Sequence, residues 1–430
     1  MTFAQIRIPL KTFIVVLALA LAGIGYSLFR YGHGSLRFFE SRVMFDIILR
    51  HEKRQLDDQA RSGLSSTYYF TSYYLNGMLS AVEATEDEKL LDKTLRIMDM
   101  MISKARPFDS NGQTYQVWPP FSITADSAAP RPNLHFTFQA SVPFARAAAI
   151  ILRTPRFREK YAPTAQRYSA FVEQLIFRYW YQSQLKSRIF WIEPDHFPIW
   201  NDNGANLGLN ALFMYEATSD PFYKDIAVRI GQCLKGKMAP QQSGWIWENQ
   251  TIPIGSDTDN TPGSVGNQAG VPDVSHTNRE AFLVTSFYEA GLVFSRDDVS
   301  RMANTLTDII WDQSVESPSF SNYLNGSNEP YRVYKKPGLN GPIYHGWAFV
   351  GGYSPKAQDV LLYTLKAIWI GHRNPALERN ATSYGGQLAL AGHILRNFRV
   401  GGFNQALSYR WTLRNIREGL SAWIKPPSAH

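Results

Sequence analysis

The chain has 430 residues, 44% of them hydrophobic and 19% charged. That balance excludes a disordered polymer and allows a large core. A single cysteine, Cys233, excludes an internal disulfide and a multi-cysteine zinc site, while a net charge of +8 suits an anionic partner such as an acidic polysaccharide, a phosphate-bearing polymer or a lipid surface.

Residues 1–11 read as a short tail carrying Arg7 and Lys11, and no charged residue occurs from Thr12 to Phe29. Those 18 residues reach about 27 Å as a helix, enough to cross the hydrocarbon layer with aromatic help at the interface. The segment 12–31 is therefore expected to be one transmembrane anchor. A cleaved signal peptide is the alternative, with Ala18, Ala20 and Ala22 as a loose cleavage pattern. Arg30, Arg37, Arg42, Arg50, Lys53 and Arg54 follow the segment, diluted by Glu40, Asp46 and Glu52, so flanking charge does not set the orientation. The expectation is a single-pass inner-membrane protein with its soluble body in the periplasm or outside, which excludes nucleic acid as a partner.

Residues 32–64 read as a linker and a first outer helix, and 65–424 as one domain. Amphipathic stretches predict helices at 36–61, 65–83, 87–104, 136–153, 158–184, 204–218, 221–236, 277–293, 297–312, 355–371, 384–397 and 404–421. Runs of alternating strand pattern are scarce, so the class is mainly α. The segments 105–135, 185–203, 237–276 and 313–354 are long and aromatic, as loops that build a site tend to be.

A repeat lies within the helices. Glu83-Ala-Thr-Glu-Asp-Glu-Lys-Leu-Leu-Asp-Lys-Thr-Leu-Arg-Ile97 matches Glu216-Ala-Thr-Ser-Asp-Pro-Phe-Tyr-Lys-Asp-Ile-Ala-Val-Arg-Ile230, with weaker echoes beginning at Arg153, Glu289 and Ile370. Each copy ends one helix, turns, and opens the next with the Asp or Pro that a helix N-terminus favours. Helix pairs recurring every 60–80 residues or so must stack, since one pair cannot bury its own apolar face. The pattern resembles the (α/α)6 barrel, a toroid of helical hairpins, of the six-hairpin glycosidase-like superfamily. That resemblance implies six inner and six outer helices and a carbohydrate ligand, and it transfers no catalytic assignment. An open superhelical stack that binds protein partners is the alternative.

In such a toroid the long loops enter the inner helices at one mouth, here placed just before residues 65, 136, 204, 277 and 355. Trp118, His135, Trp191, Trp200, Asn203, Trp247, Arg279, Tyr344 and His345 fall there and are expected to bind substrate. Aromatic faces stack on sugar rings while amides and carboxylates pair with hydroxyls. Packing is the competing role for each aromatic.

The sharpest motif is Asp273-Val-Ser-His276, followed by Asn278, Arg279 and Glu280. A carboxylate and an imidazole three residues apart can share a proton, although Asp273 and Ser275 also suit a helix N-cap. Asp202, in a cluster with Glu193, Asp195 and His196, and Glu248 are further candidate carboxylates for glycosidic cleavage by an acid–base pair. Asp273, His276, Asp202 and Glu248 are thus the expected catalytic residues.

Glycoside hydrolysis is favoured because carboxylates outnumber histidines in these loops. Uronate lyase or epimerase chemistry is the alternative, with His135, His276, Arg279, Tyr334, Tyr344 and His345 available as base and carboxylate partners. A non-catalytic envelope component that binds glycan or protein is a third reading, and no assembly partner is named by the sequence. No phosphate-binding loop, dinucleotide fingerprint or nucleophile elbow occurs, and Asp257-Thr-Asp-Asn-Thr-Pro-Gly lacks the later acidic ligand of a calcium loop. No cofactor and no metal are expected.

Overall fold

Short polar side chains start the helices. Asp87 accepts from the backbone amides of Lys89 and Leu90, Asp220 accepts from that of Phe222 behind Pro221, and Asn133 from that of Phe136. Ser295 and Asp298 form a reciprocal capping box. The computed structural model describes residues 36–121, 132–185, 201–247, 271–329, 341, 343, 345–370 and 386–401.

Within these residues the helices are α1 (Leu36–Ala60), α2 (Ser65–Thr85), α3 (Glu88–Ile102), α4 (Leu134–Arg153), α5 (Pro155–Val172), α6 (Asn201–Thr218), α7 (Pro221–Lys237), α8 (Asn278–Glu289), α9 (Arg296–Asn304), α10 (His345–Ala348), α11 (Pro355–Ile370) and α12 (Gly386–Gly401). α5 continues as a π-helix over Glu173–Leu185, α9 over Thr305–Ile310, and α10 as a 3₁₀ turn over Phe349–Gly352. Two antiparallel hairpins complete the described elements. β1 (Arg106–Ser110) pairs with β2 (Gln113–Val117), and β3 (Met238–Gln241) with β4 (Gly244–Trp247).

The even-numbered helices touch in sequence: α2 packs on α4, α4 on α6, α6 on α8, α8 on α10, α10 on α12, and α12 returns to α2. This closed inner ring, wrapped by the odd-numbered helices, is an (α/α)6 toroid. Its burial explains the sequence pattern. α2 and α12 are covered nearly all round, so they read as apolar with little periodicity, whereas α3 buries one face, Leu90, Leu91, Thr94, Leu95, Ile97, Met98 and Met101.

Two expectations are corrected. The fifth inner helix is α10 with its 3₁₀ turn, a span that the sequence placed in the loop 313–354, and the helix at 355 belongs to the outer layer against it. Four residues of α-helix are too short to show a period, so the element is specified by its neighbours. The outer helix expected at 36–61 is α1, which packs on α12, α2 and α3 and fills the sixth outer position. The loops 105–135 and 237–276 contain the two hairpins.

The helix expected at 404–421 and the anchor at 12–31 lie outside the described residues. Among the described residues no helix is long and apolar enough to cross a membrane.

α1 is fastened by Arg42, which donates to Asp87 (2.9 Å) and Thr85 (3.2 Å) in the α2–α3 turn. On its buried side Glu52 is only 7% exposed, and loss of water pushes its carboxyl up to about 8, the hydrogen bond to Tyr74 offsetting this in part. A carboxyl that binds its proton more tightly when folded contributes its stability below the unfolded value of about 4.3 and loses it as pH rises through 8. Glu52→Gln is expected to raise the melting temperature at pH 8 and to flatten its pH dependence between pH 5 and 8, where the wild type loses up to about 1.4 kcal/mol per pH unit. Thermal melts of both proteins across that window check it, and parallel curves would refute it.

Short turns at residues 86–87, 154, 219–220, 290–295 and 353–354 gather at one end, the floor, where inner helices end. The long connections gather at the other end, the mouth. The repeat is a floor feature: Glu83, Glu216 and Glu289 occupy the last turns of α2, α6 and α8 and meet arginines of α4 and α12. Arg146 donates to Glu83 (2.5 Å), Arg396 to Glu83 (3.0 Å) and to Glu289, and Arg153 to Glu83 and to Glu216 (3.4 Å).

Candidate functional site

The inner helices begin at the mouth, and their first turns bring together residues far apart in sequence. The segment leading into α8 carries Asp273, which is 1% exposed. It is stitched to the chain at 320–324: the Val274 amide donates to the Asn322 carbonyl (2.9 Å) and the Leu324 amide to the Pro272 carbonyl (3.1 Å). Trp347 of α10 donates its indole N–H to the Val274 carbonyl (3.0 Å), and Gly346 lies against the Asn278 carbonyl, where no side chain would fit.

On this braced segment the two carboxylate oxygens of Asp273 have different partners. Oδ1 accepts from the amides of Ser275 (2.9 Å) and His276 (3.1 Å) and from the Ser275 hydroxyl, which is the capping role. Oδ2 lies 2.7 Å from His276 Nδ1. The buried carboxylate therefore fixes the imidazole and favours the proton on Nδ1, which makes Nε2 the basic nitrogen; the His276 side chain is 26% exposed. Both readings of the motif apply to the one residue. Beside it, burial together with the carboxylates of Asp273 and Glu329 pushes the Tyr323 phenol up.

One turn later Arg279, 3% exposed, reaches across the mouth. It donates through Nε to Gln139 (2.6 Å) and through Nη2 to the phenols of Tyr69 and Tyr73 (3.2 Å for the latter), and its guanidinium sits 5.3 Å from the Tyr69 ring centre. The guanidinium thus places its positive charge against the oxygens of both phenols. Tyr69 also packs against the His135 ring (4.9 Å), and His135 Nδ1 lies 2.8 Å from Asn203 Oδ1. Arg279 Nη1 also donates to the His276 carbonyl (3.3 Å), so Asp273, His276, Arg279, Tyr69, His135 and Asn203 form one chain of contacts drawn from α2, α4, α6, α8 and the turn before α8.

Of the expected site residues, Asp273, His276, Arg279, His135 and Asn203 are brought together here. Trp118 and Trp247 are corrected to packing roles. Trp118 is fully buried among Tyr68, Phe144 and Phe171 with its indole on the Met101 carbonyl, and Trp247 is 1% exposed. The exposed aromatic beside this cluster is Phe121, 61% accessible and edge-on to Phe136, which itself packs on Tyr69. Asp202 and His345 stand in the first turns of α6 and α10. Their side chains, and all of Trp191, Glu193, Asp195, His196, Trp200, Glu248, Tyr334 and Tyr344, lie outside the described residues.

Tyr69, Tyr73 and Gln139 are members of the cluster that were not among the expected site residues. The available signal was the four-residue spacing of Tyr69 and Tyr73, which sets both on one face of a helix entering the mouth.

No protein-family model matches the sequence, and no curated protein does. Solved structures to which the chain is similar include a polysaccharide lyase (TM-score 0.48, 12% identity, covering 86% of this chain and 99% of that one). A family 88 glycosyl hydrolase from Bacteroides vulgatus gives TM-score 0.46 at 13% identity over 84% and 99%. A family 76 glycoside hydrolase (mannosidase) from Bacteroides thetaiotaomicron gives 0.46 at 12% over 77% and 87%. Likeness of this degree says nothing about chemistry, which rests on the side chains at the mouth.

Proposed function

We propose that the protein is a carbohydrate-active enzyme acting on an acidic polysaccharide, and that its mouth removes a proton beside a uronate carboxylate. The observation that carries this reading is the Asp273–His276 dyad with Arg279 beside it, which donates to the His276 carbonyl (3.3 Å) and to the Tyr69 phenol. His276 Nε2 takes the proton from C5 of the uronate. The electron pair forms the C4=C5 double bond as the C4–O bond breaks, and the departing oxygen takes the Tyr69 proton. The cationic Arg279 stabilises the phenolate left behind, and proton exchange with solvent resets both groups. His135 and Asn203 supply hydrogen bonds to the sugar, and Phe121 offers a stacking face at the rim.

Lyase chemistry is preferred to hydrolysis on one ground: Asp273, the best-placed carboxylate, is buried and committed to two amides, a hydroxyl and an imidazole. Hydrolysis is the second reading, favoured by Asp202 in the first turn of α6 next to Asn203. Incubation of the full chain with polyuronates separates the readings. An unsaturated product absorbing in the ultraviolet is expected; new reducing ends without that absorbance would replace lyase by hydrolase, and binding without either product would make the protein a glycan-binding component.

We read the apolar run within 12–31 as an anchor in the inner membrane, with the body on its outer side, an orientation that the flanking charge does not set. α1 runs from the floor to the mouth, so it would set the floor toward the bilayer and lift the mouth by about 37 Å, the length of 25 helical residues.

A further inference from the structure

At the floor, opposite the mouth, a cavity of about 350 Å³ opens between the ends of α2 and α12 and the α4–α5 turn. Arg153, Arg396 and Arg399 line it together with Glu83 and Glu86, and Val82, Phe157 and Val400 supply apolar surface. Thr154 closes the wall as the N-cap residue of α5, and its side chain makes no capping hydrogen bond. The positive end of a helix thereby faces the same space as three guanidinium groups.

The arginines are not fully used. Arg396 is 7% exposed, donates through Nε and Nη2 to Glu83 and Glu289, lies 5.1 Å from the Phe349 ring centre, and leaves Nη1 with no hydrogen-bond partner among the described residues. Arg153 lies in the opening at 45% side-chain exposure, and its second contact, to Glu216, is long at 3.4 Å. Arg399 spans the rim from the Glu83 carbonyl to Glu86 (2.8 Å), both charged side chains being close to half exposed. Ion pairs this exposed are screened by water and are readily exchanged for a bound anion.

We propose that this floor cavity binds a small hydroxylated carboxylate, a sugar acid of one or two rings, at a site separate from the mouth. Guanidinium forks match a carboxylate in shape and charge. A bare anion would be repelled by Glu83 and Glu86, whereas hydroxyl groups on the same ligand donate to them. The three apolar side chains cover the C–H face of a ring. The volume suits a ligand of that size and excludes a polymer threading through, because the core of the ring is filled by Arg146, packed 5.4 and 5.2 Å from the rings of Phe282 and Phe349.

Calorimetric titration of the full chain in detergent with glucuronate, glucose and inorganic phosphate tests this directly. Glucuronate is expected to bind saturably, and at least tenfold more tightly than either of the others. Arg399→Gln should weaken it at least tenfold. Val400→Trp, which fills the cavity and removes no ion pair, should abolish it even if the arginine variant folds poorly. His276→Gln at the mouth should leave it unchanged, which separates this site from the proposed catalytic one. No saturable binding, equal or tighter binding of phosphate, indifference to Val400→Trp, or loss of binding in His276→Gln would each overturn the assignment.

Discussion

His276→Gln is expected to lower kcat/KM on a uronate polymer by about 10²–10⁴-fold, the range that a positioned general base contributes. Glutamine keeps a donor and an acceptor of similar reach and cannot accept the C5 proton. The imidazole is 26% exposed and glutamine fills similar space beside Asp273, so the melting temperature should move little. Asp273→Asn tests the same idea from behind. Its remaining oxygen can still accept from the amides of Ser275 and His276, which preserves the cap, but an amide in place of the second oxygen no longer holds Nδ1–H toward itself. The expected result is a loss approaching that of His276→Gln, with the fold intact by circular dichroism. Turnover near wild type in His276→Gln would remove the imidazole from the mechanism, and turnover near wild type in Asp273→Asn would reduce the carboxylate to a cap.

Gly392→Ala is expected to cost about 3 kcal/mol, the upper part of the usual range for overpacking, and to lower the melting temperature by roughly 5 °C. α2 and α12 close the inner ring where Gly77 and Gly392 cross, and a Cβ on Gly392 would overlap the Gly77 carbonyl. A Cβ on Gly77 would stand 2.5 Å from the Ala389 Cα, so the contact is backbone against backbone and no side chain can turn aside. Relief requires the two helices to separate, which opens the ring at its seam. Gly236→Ala provides the contrast. That glycine is exposed near the end of α7 with nothing within 4 Å of its would-be Cβ, so alanine there should gain about 0.5 kcal/mol from helix propensity. Melting curves in which both variants coincide with wild type would show that the seam is looser than the backbone contact implies.

Some of this was legible before any coordinates. Asp87 and Asp220 begin helices in short turns, where a cap acts within three residues of itself, so local sequence is enough to place them. The Glu83 and Glu216 repeat announced helix pairs for the same reason: each copy encodes one turn of chain. The same is true of the Asp273–His276 pair, since three residues on one short segment cannot be far apart in space.

What the sequence could not supply is whatever depends on closure. Tyr69 and Arg279 are 210 positions apart and meet only because six inner helices return to one mouth. α10 has too few helical residues to hold itself and is decided by packing on α8 and α12. Trp118 reads like a sugar platform in a loop, yet the helices around it bury both of its faces, and an aromatic residue carries no mark of which side of a wall it occupies. Composition and local pattern determined a mainly helical chain with polar residues at the helix starts. Tertiary structure decided which of those starts share a cavity, because burial and long-range contact are properties of the closed ring and of no single helix within it.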